Sequence, residues 1–423
     1  MKKLLQTKKR GSAIPLAIVV VLILLAMGTG LLSMGLNSRT FSLRTTSDIT
    51  ARCAADTGLT MALYQMNEKL KVKPWSASSL PKATDINLLY CDASYSYSVT
   101  GNLANGYIMQ SVGKADQAQR TVYATIGLRS LFEHAILTRG SLVLKSGTTI
   151  DGYNSEDPLD TEFNVDIGTQ SIEDSMVVLN SGVNVKGDVL VGLGGDPDTV
   201  IKDLGATTGD QLGGTEKDPL SPVTPPTLPD MGVIEAKGKT VTITPAENGQ
   251  YSNINLASSS DVGILEIDKG DVVLYITGDI DLGNSCEIVV KDGASLTIYL
   301  DGDIVSGNGS SIGTENPTKD ALTIQLYGTG EGEQNFDIKA KNEWTGVIYA
   351  PNANIDLYAK GDAYGAIVAN SFEFKSGGNY YYDEALREVS LEDEGVRFVV
   401  ERWYEGRPKL SISDIEATPI KTK

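Results

Sequence analysis

Three hydropathy regimes follow one another along the chain. Met1–Gly11 carries Lys2, Lys3, Lys8, Lys9 and Arg10 and no acid, and Ser12–Asn37 carries no charge at all. Within the uncharged stretch, Ala13–Leu36 is a run of 24 mostly apolar residues. As helix, that run is long enough to cross about 30 Å of hydrocarbon. It exceeds the apolar core of roughly 7–15 residues in a secretion signal, and no A-x-A-like cleavage site follows it. Basic residues ahead of the run predict a cytoplasmic N terminus and an extracytoplasmic body. Arg39 and Arg44, on the far side, count slightly against that orientation.

The second regime has helical periodicity. In "SDITARCAADTGLTMALYQMNEKL", residues 47–70, the residues Ala51, Ala55, Leu59, Ala62, Leu63, Met66 and Leu70 recur at spacings of three and four. That spacing predicts an amphipathic helix. Ser47 or Asp48 suits its N-cap, and direct continuation from the apolar run is the alternative. One helix over Ser12–Leu70 would measure about 88 Å, with Gly28, Gly30 and Gly35 as the points where it would unwind. "KPWSASSLPKATD" then reads as a loop. Ser94–Thr100, Gly106–Val112 and Arg120–Leu128 alternate apolar and polar residues, which predicts three antiparallel strands.

The third regime, residues 131–390, consists of short apolar strands separated by Gly, Asn, Asp and Ser. "LVLKSGTTIDG" (142–152) aligns with "VVLNSGVNVKG" (177–187), and "FEFKSGG" (372–378) echoes both. "VVLYITGDIDLGNSCEI" (272–288) repeats as "LTIYLDGDIVSGNGSSI" (296–312), matching at Tyr275/Tyr299, Gly278/Gly302, Asp279/Asp303, Ile280/Ile304, Gly283/Gly307, Asn284/Asn308 and Ile288/Ile312. Strand-and-turn repeats of coil length predict an irregular β-solenoid, with a β-sandwich as the alternative. "KDPLSPVTPPTLPDMG" (217–232) is too rich in proline for a central strand and reads as an extended crossing segment. It divides the region into a shorter first part and a longer second one. In the tail, residues 391–423, "VRFVVERWYEG" reads as an edge strand or a docking segment.

Charge narrows the partners. The 423 residues include 36 basic and 54 acidic ones, and outside the leader 31 basic residues face those 54 acids. So acidic a body argues against a nucleic-acid partner, which needs stripes of Lys and Arg. Cys53, Cys91 and Cys286 are too sparse for a disulfide framework; a Cys53–Cys91 bridge and three free thiols both fit. A lone histidine, His134, counts strongly against His-based metal sites and triads.

The basic leader, Gly11, the small Ser12 and the uninterrupted apolar run resemble a type IV prepilin signal. "ARCAADTGLTMALYQM" is similar to the A…A-E-A-G-(L/I)…A stretch of PilX-type N termini, with Asp56 where glutamate is usual. The resemblance implies a prepilin peptidase cutting between Gly11 and Ser12, and a helix retained on the mature chain. The fifth residue after that cut is Leu16, where most pilins carry glutamate. This departure favours a PilX-type or GspK-type minor pilin or pseudopilin over a bulk filament subunit. "GVIYAPNA" and "YDEAL", within and just before residues 349–386, resemble the end of an uncharacterised domain that often follows such N termini.

No GxSxG, HExxH, CxxC or phosphate loop is present. Asp279, Asp301 and Asp303 could line a glycan-cleaving face, although Asp in such "GD" phrases is ordinary turn chemistry. "GLGGDPD" (192–198) admits calcium, the only cofactor in view. In "NYYYDEAL", Tyr380 and Tyr382 would share a face opposite Tyr381, as an exposed sugar-binding pair or as a cap over a last rung.

The expectation is therefore an α+β chain. Its parts are a leader (1–11), a pilin-like transmembrane and amphipathic helix (12–70), a small antiparallel sheet (71–130), a β-solenoid-like domain (131–390) and a C-terminal strand and tail (391–423). The resemblance implies a non-enzymatic, single-pass membrane protein partnered by prepilin peptidase, pilin or pseudopilin subunits and the inner membrane, and carried into a surface pilus. The alternative is a membrane-anchored β-helix protein that acts on or binds a surface polysaccharide.

Overall fold

A computed structural model describes residues 13–406, apart from 73, 103–105, 158, 160–162, 164, 215–219, 221–222, 258–260 and 388–394. The leader with Gly11 and Ser12, part of the proline-rich segment and the tail beyond Gly406 lie outside the described residues. The described residues divide into two compact units, 13–128 with 398–406, and 129–397.

In the first unit a single helix, α1 (Ala13–Leu70), runs for 58 residues, roughly 87 Å. It passes through Gly28, Gly30 and Gly35 without a break, so the unwinding expected there does not occur. Its C-terminal part buries Ala51, Ala54, Ala55, Leu59, Ala62, Met66 and Leu70 against an antiparallel sheet. The sheet is ordered β1 (Lys82–Asn87), β2 (Ala93–Asn102), β3 (Gly106–Ala115), β4 (Ala118–Arg129), then the C-terminal strand Arg397–Gly406 at its edge. Small residues let helix and sheet approach closely. A Cβ on Gly113 would lie 2.0 Å from the Ala51 carbonyl oxygen and 2.4 Å from the Ala55 nitrogen. The first four residues of β1 fall inside the stretch expected to be a loop. Its burial shows no alternation, because pairing with β2 places it, not an apolar face of its own.

The second unit is a closed, parallel β body. Every described pairing within it is parallel, so the antiparallel β-sandwich considered above is not what forms. Coils pair at offsets that vary, 24 residues at Asp279/Asp303 and 22 at Asp166/Asp188. The repeat seen in sequence fixes the ladder register: Tyr275 pairs with Tyr299, Ile280 with Ile304 and Ile288 with Ile312. Inward residues stack into columns. One column runs Ile254, Ile280, Ile304, Phe336, Ile355, Phe372, Leu142, Val177 and Ile201, all nearly inaccessible. Each such side chain contributes about 1.5–3 kcal/mol by burial.

That column shows that spatial order differs from chain order. The chain enters in the middle of the stack, at Ile136–Thr138, which pairs with Ala363–Phe374. It stacks outward to Gln211–Gly214. It resumes at the opposite end, at Asp230–Glu235, and returns coil by coil to the coil on which it began. In the chain, the proline-rich segment lies between those two ends, and only part of it is described. Leu220 and Val223 are buried there, and Arg139 donates to the Leu220 carbonyl (2.5 Å) and to Asn352 Oδ1 (2.8 Å).

The echoed Ser-Gly phrases share one turn. Gly147, Gly182 and Gly377 all have φ between 67° and 78°, a left-handed conformation that glycine adopts without strain. Each follows a strand of one stacked row, Leu142–Leu144, Val177–Leu179 and the end of Ala363–Phe374.

Candidate functional site

Two features of the first unit are candidates for function. The first is the bare part of α1. Every described side chain from Ile14 to Arg44 is exposed, including Leu16, Ile18, Leu22, Leu25, Leu31 and Phe41. By length and composition this helix can cross a membrane. Among the described residues none covers its apolar surface, and such a surface is not stable facing water.

The second is a groove of about 410 Å³ between α1 and the C-terminal strand, lined by Arg52, Asp56, Leu59, Thr60, Leu63, Val400 and Trp403. Charges brace its end nearer Ser47. Arg120 Nε donates to Asp48 Oδ1 at 2.8 Å, and the second nitrogen completes a bidentate pair with the other oxygen. Glu405 lies 3.5 Å from Arg120 and 3.8 Å from Arg52, and the Arg52 guanidinium stands 5.4 Å over the Trp403 ring. The Arg120 hydrogen bond holds the Asp48 carboxyl below its ordinary range and raises the guanidinium in turn. Asp56 Oδ1 is enclosed and has no hydrogen-bond partner among the described residues.

The carboxylates singled out in the β body are engaged in structure. Asn253 Oδ1 accepts from the Asp279 backbone N–H (2.9 Å), Asp279 Oδ1 from that of Asp303 (2.9 Å), and Asp303 Oδ1 from that of Asn335 (2.8 Å). An equivalent ladder joins Asp166, Asp188 and Asp210. Asp301 accepts from the Tyr275 hydroxyl (2.6 Å) and from Thr329 Oγ1 (2.6 Å). The hydrogen bond to Asp301, together with burial, pushes the Tyr275 phenol up to about 12. In "GLGGDPD", Asp196 caps a single helical turn, Pro197–Val200, by accepting from the Asp198 N–H. Among the described residues, no group of three His, Cys, Asp or Glu side chains could hold a metal.

Tyr380 and Tyr382 share a face as expected, but that face is the core, where both are fully buried. Tyr381, on the other face, stacks on Tyr364 with ring centroids 5.1 Å apart, which leaves that ring face unavailable to a sugar. The coil is not a cap, because Thr149–Tyr153 pairs over it. All three cysteines are free: Cys53 and Cys91 are exposed, and Cys286 is buried. The Cys286 thiol donates to the Leu256 carbonyl (3.0 Å) and accepts from the Gly263 N–H (3.3 Å). His134 is half-buried near the start of the second unit.

Sequence reasoning did not foresee the groove. Its wall is strand 397–406, which lies more than 300 residues from α1 in the chain. The one available signal was the aromatic, alternating "VRFVVERWYEG".

Residues 223–389 match a protein family described as a domain of unknown function, DUF7305. No curated protein matches the chain. Among solved structures, the competence-associated pilin ComZ from Thermus thermophilus is similar at 13% identity and a TM-score of 0.26, over 85% of this chain and 98% of the pilin. A score that low carries no argument about fold or function.

Proposed function

We propose that this chain is a minor pilin-like or pseudopilin-like structural protein of a type IV pilus or a type II secretion system. It is made as a prepilin and cut between Gly11 and Ser12. It is held in the inner membrane by α1, with the N terminus cytoplasmic and the body outside. The observation that carries the reading is the unbroken 58-residue helix, bare and apolar over its first half and docked on an antiparallel sheet over its second. A helix of that form can leave lipid for a bundle of sister helices without refolding, since both environments bury the same face. The parallel β body is an irregular solenoid, presented for assembly, tip capping or adhesion. Its bulk suits a minor or tip position, and the leucine at residue 16 fits the same place.

The protein acts without catalysis and without a cofactor. Support for this comes from the carboxylates that a glycan-cleaving face would use, which are tied to backbone N–H groups, a phenol and a threonine hydroxyl. The first test is the N-terminal residue of the membrane-extracted protein, from cells with and without a prepilin peptidase. A chain starting at Ser12 only when the peptidase is present supports the reading. A Met1 start in both strains refutes it and leaves a plain anchored surface protein.

A further inference from the structure

We propose that the β1–β2 loop, residues 88–92, is a second membrane contact, with Leu89 and Tyr90 resting in the headgroup layer of the bilayer that α1 crosses. This rests on the reading of Ala13–Leu36 as the membrane span.

The loop lies at the end of the sheet nearest that span. Along α1 from residue 47 to residue 67, the contacts step backwards along β3 and forwards along β2. Ser47 Oγ bonds Asp116 Oδ2 (3.0 Å) in the β3–β4 turn, Ala51 and Ala55 touch Gly113, and Gly58 meets Ser111 and Tyr95. Asn67 bonds the Phe398 backbone, on whose ring Tyr107 packs. Ala93 pairs with Ala115, so the loop preceding Ala93 leaves the sheet at the level of Ser47, on the membrane side.

The tip is apolar and fully presented. Leu89 is 83% exposed and Tyr90 is 102% exposed. A single exposed leucine needs no explanation. Here, however, the backbone is committed to the display: the Leu88 N–H bonds the Ala93 carbonyl (2.9 Å), and Tyr90 holds φ at 64°, a left-handed conformation unfavourable for a bulky residue. Leucine beside tyrosine suits the interface, where an apolar body and a polar hydroxyl are both satisfied.

The reach is sufficient. From Leu36 to Ser47 the helix rises about 16 Å. Roughly 5–8 Å of that is headgroup layer. The tip stands two residues beyond Leu88, a reach of up to about 7 Å, and the exposed Leu89 and Tyr90 side chains span what is left to the headgroups.

The test uses the full chain with Cys53→Ser, leaving Cys91 as the exposed thiol beside the tip and Cys286 buried. Cys91 is labelled with an environment-sensitive fluorophore, and the protein is reconstituted in phosphatidylcholine vesicles with or without headgroup nitroxide. A second reporter, Leu32→Cys in a Cys53→Ser/Cys91→Ser background, is read against nitroxide deep in the acyl chains. The expectation is blue-shifted Cys91 emission, quenched at least about twofold by headgroup nitroxide, with most of the quenching lost in Leu89→Ser/Tyr90→Ser. Quenching at residue 32 but not at Cys91 overturns the loop contact and leaves the membrane span standing. Absence of quenching at both sites refutes the span and the inference with it. A blue shift at Cys91 without lipid quenching means that protein, such as a second copy, covers the tip, and overturns the proposal. Quenching unchanged by the serine pair does so too.

Discussion

Tyr380 and Tyr382 are neighbours on one strand, both wholly buried, yet removing their hydroxyls should have opposite consequences. The Tyr382 hydroxyl donates to the Phe132 carbonyl at 2.5 Å. The Tyr380 hydroxyl has no hydrogen-bond partner among the described residues. Burial pushes both phenols well above the usual tyrosine range, so both stay neutral at any working pH and the comparison is between hydroxyl and hydrogen. Tyr382→Phe forfeits a bond worth about 0.5–1.5 kcal/mol and leaves a carbonyl unpaired, for a loss of about 1–3 kcal/mol. Tyr380→Phe removes an unmade bond and keeps the ring, which packs 6.1 Å from Phe374 and 6.5 Å from Phe372. It should be neutral or stabilising by up to about 1 kcal/mol. The assay is urea unfolding of the full chain in detergent, followed through the tyrosine near-ultraviolet circular dichroism. The midpoint should fall for Tyr382→Phe and hold or rise for Tyr380→Phe at an unchanged slope. Equal losses in the two variants would refute the reasoning, because they would mean that both hydroxyls are bonded.

Gly113→Val drives a Cβ into the Ala51 carbonyl and should loosen sheet from helix by about 3 kcal/mol, read as faster proteolysis within residues 82–129. Gly332→Ala, where a Cβ meets nothing within 4 Å, should change stability by less than about 0.5 kcal/mol. Asp303→Ala breaks the ladder and should lower the unfolding midpoint by about 1 kcal/mol. Asp303→Asn should be silent, since the ladder already uses the Asn253 side-chain oxygen as an acceptor of a backbone N–H. The Asp48 carboxyl is held below its unfolded value of 3.8. Its contribution is therefore whole above pH 3.8 and lost as pH falls through the lower folded value. Tryptophan fluorescence of the helix–sheet unit should start to shift below that pH, and Asp48→Asn should abolish the dependence.

Period is what sequence carries best, and the results follow that rule. The 24-residue match placed Tyr275 on Tyr299 and Ile288 on Ile312 because each coil must bury its inward residues on the coil before it. The three-and-four spacing over residues 47–70 located the buried stripe of α1, except that Leu63 is only half-buried and faces the groove while Ala54 is in the core. Elements without period were lost or left unplaced. β1 has no apolar face and reads as loop; the strand Arg397–Gly406 is legible as an edge strand, but which sheet it joins rests on Asn67 and Arg120, which pairwise contact alone reveals.

Order in space was the hardest thing to read, and the echoed phrases held more of it than their positions suggested. "FEFKSGG", "LVLKSGT" and "VVLNSGV" are far apart in the chain in one case and close in the other, yet they are three successive layers. Similar coils stack well because like side chains and like turns superpose, so resemblance between segments predicts adjacency better than sequence distance does. The same logic explains the crossing. A body entered at Ile136 and left after Asp383 has neighbouring coils at its two chain ends, so one strap between the far ends is unavoidable. Proline suits the strap because it needs no ladder hydrogen bond, and Arg139 ties it to the two coils that it passes, through Leu220 and Asn352. Replacing Arg139 would free the strap without touching the ladders. Cleavage within residues 215–230 under limited proteolysis should then increase while the β circular dichroism stays unchanged. Loss of the β signal instead would mean that the strap holds the two ends of the stack in place.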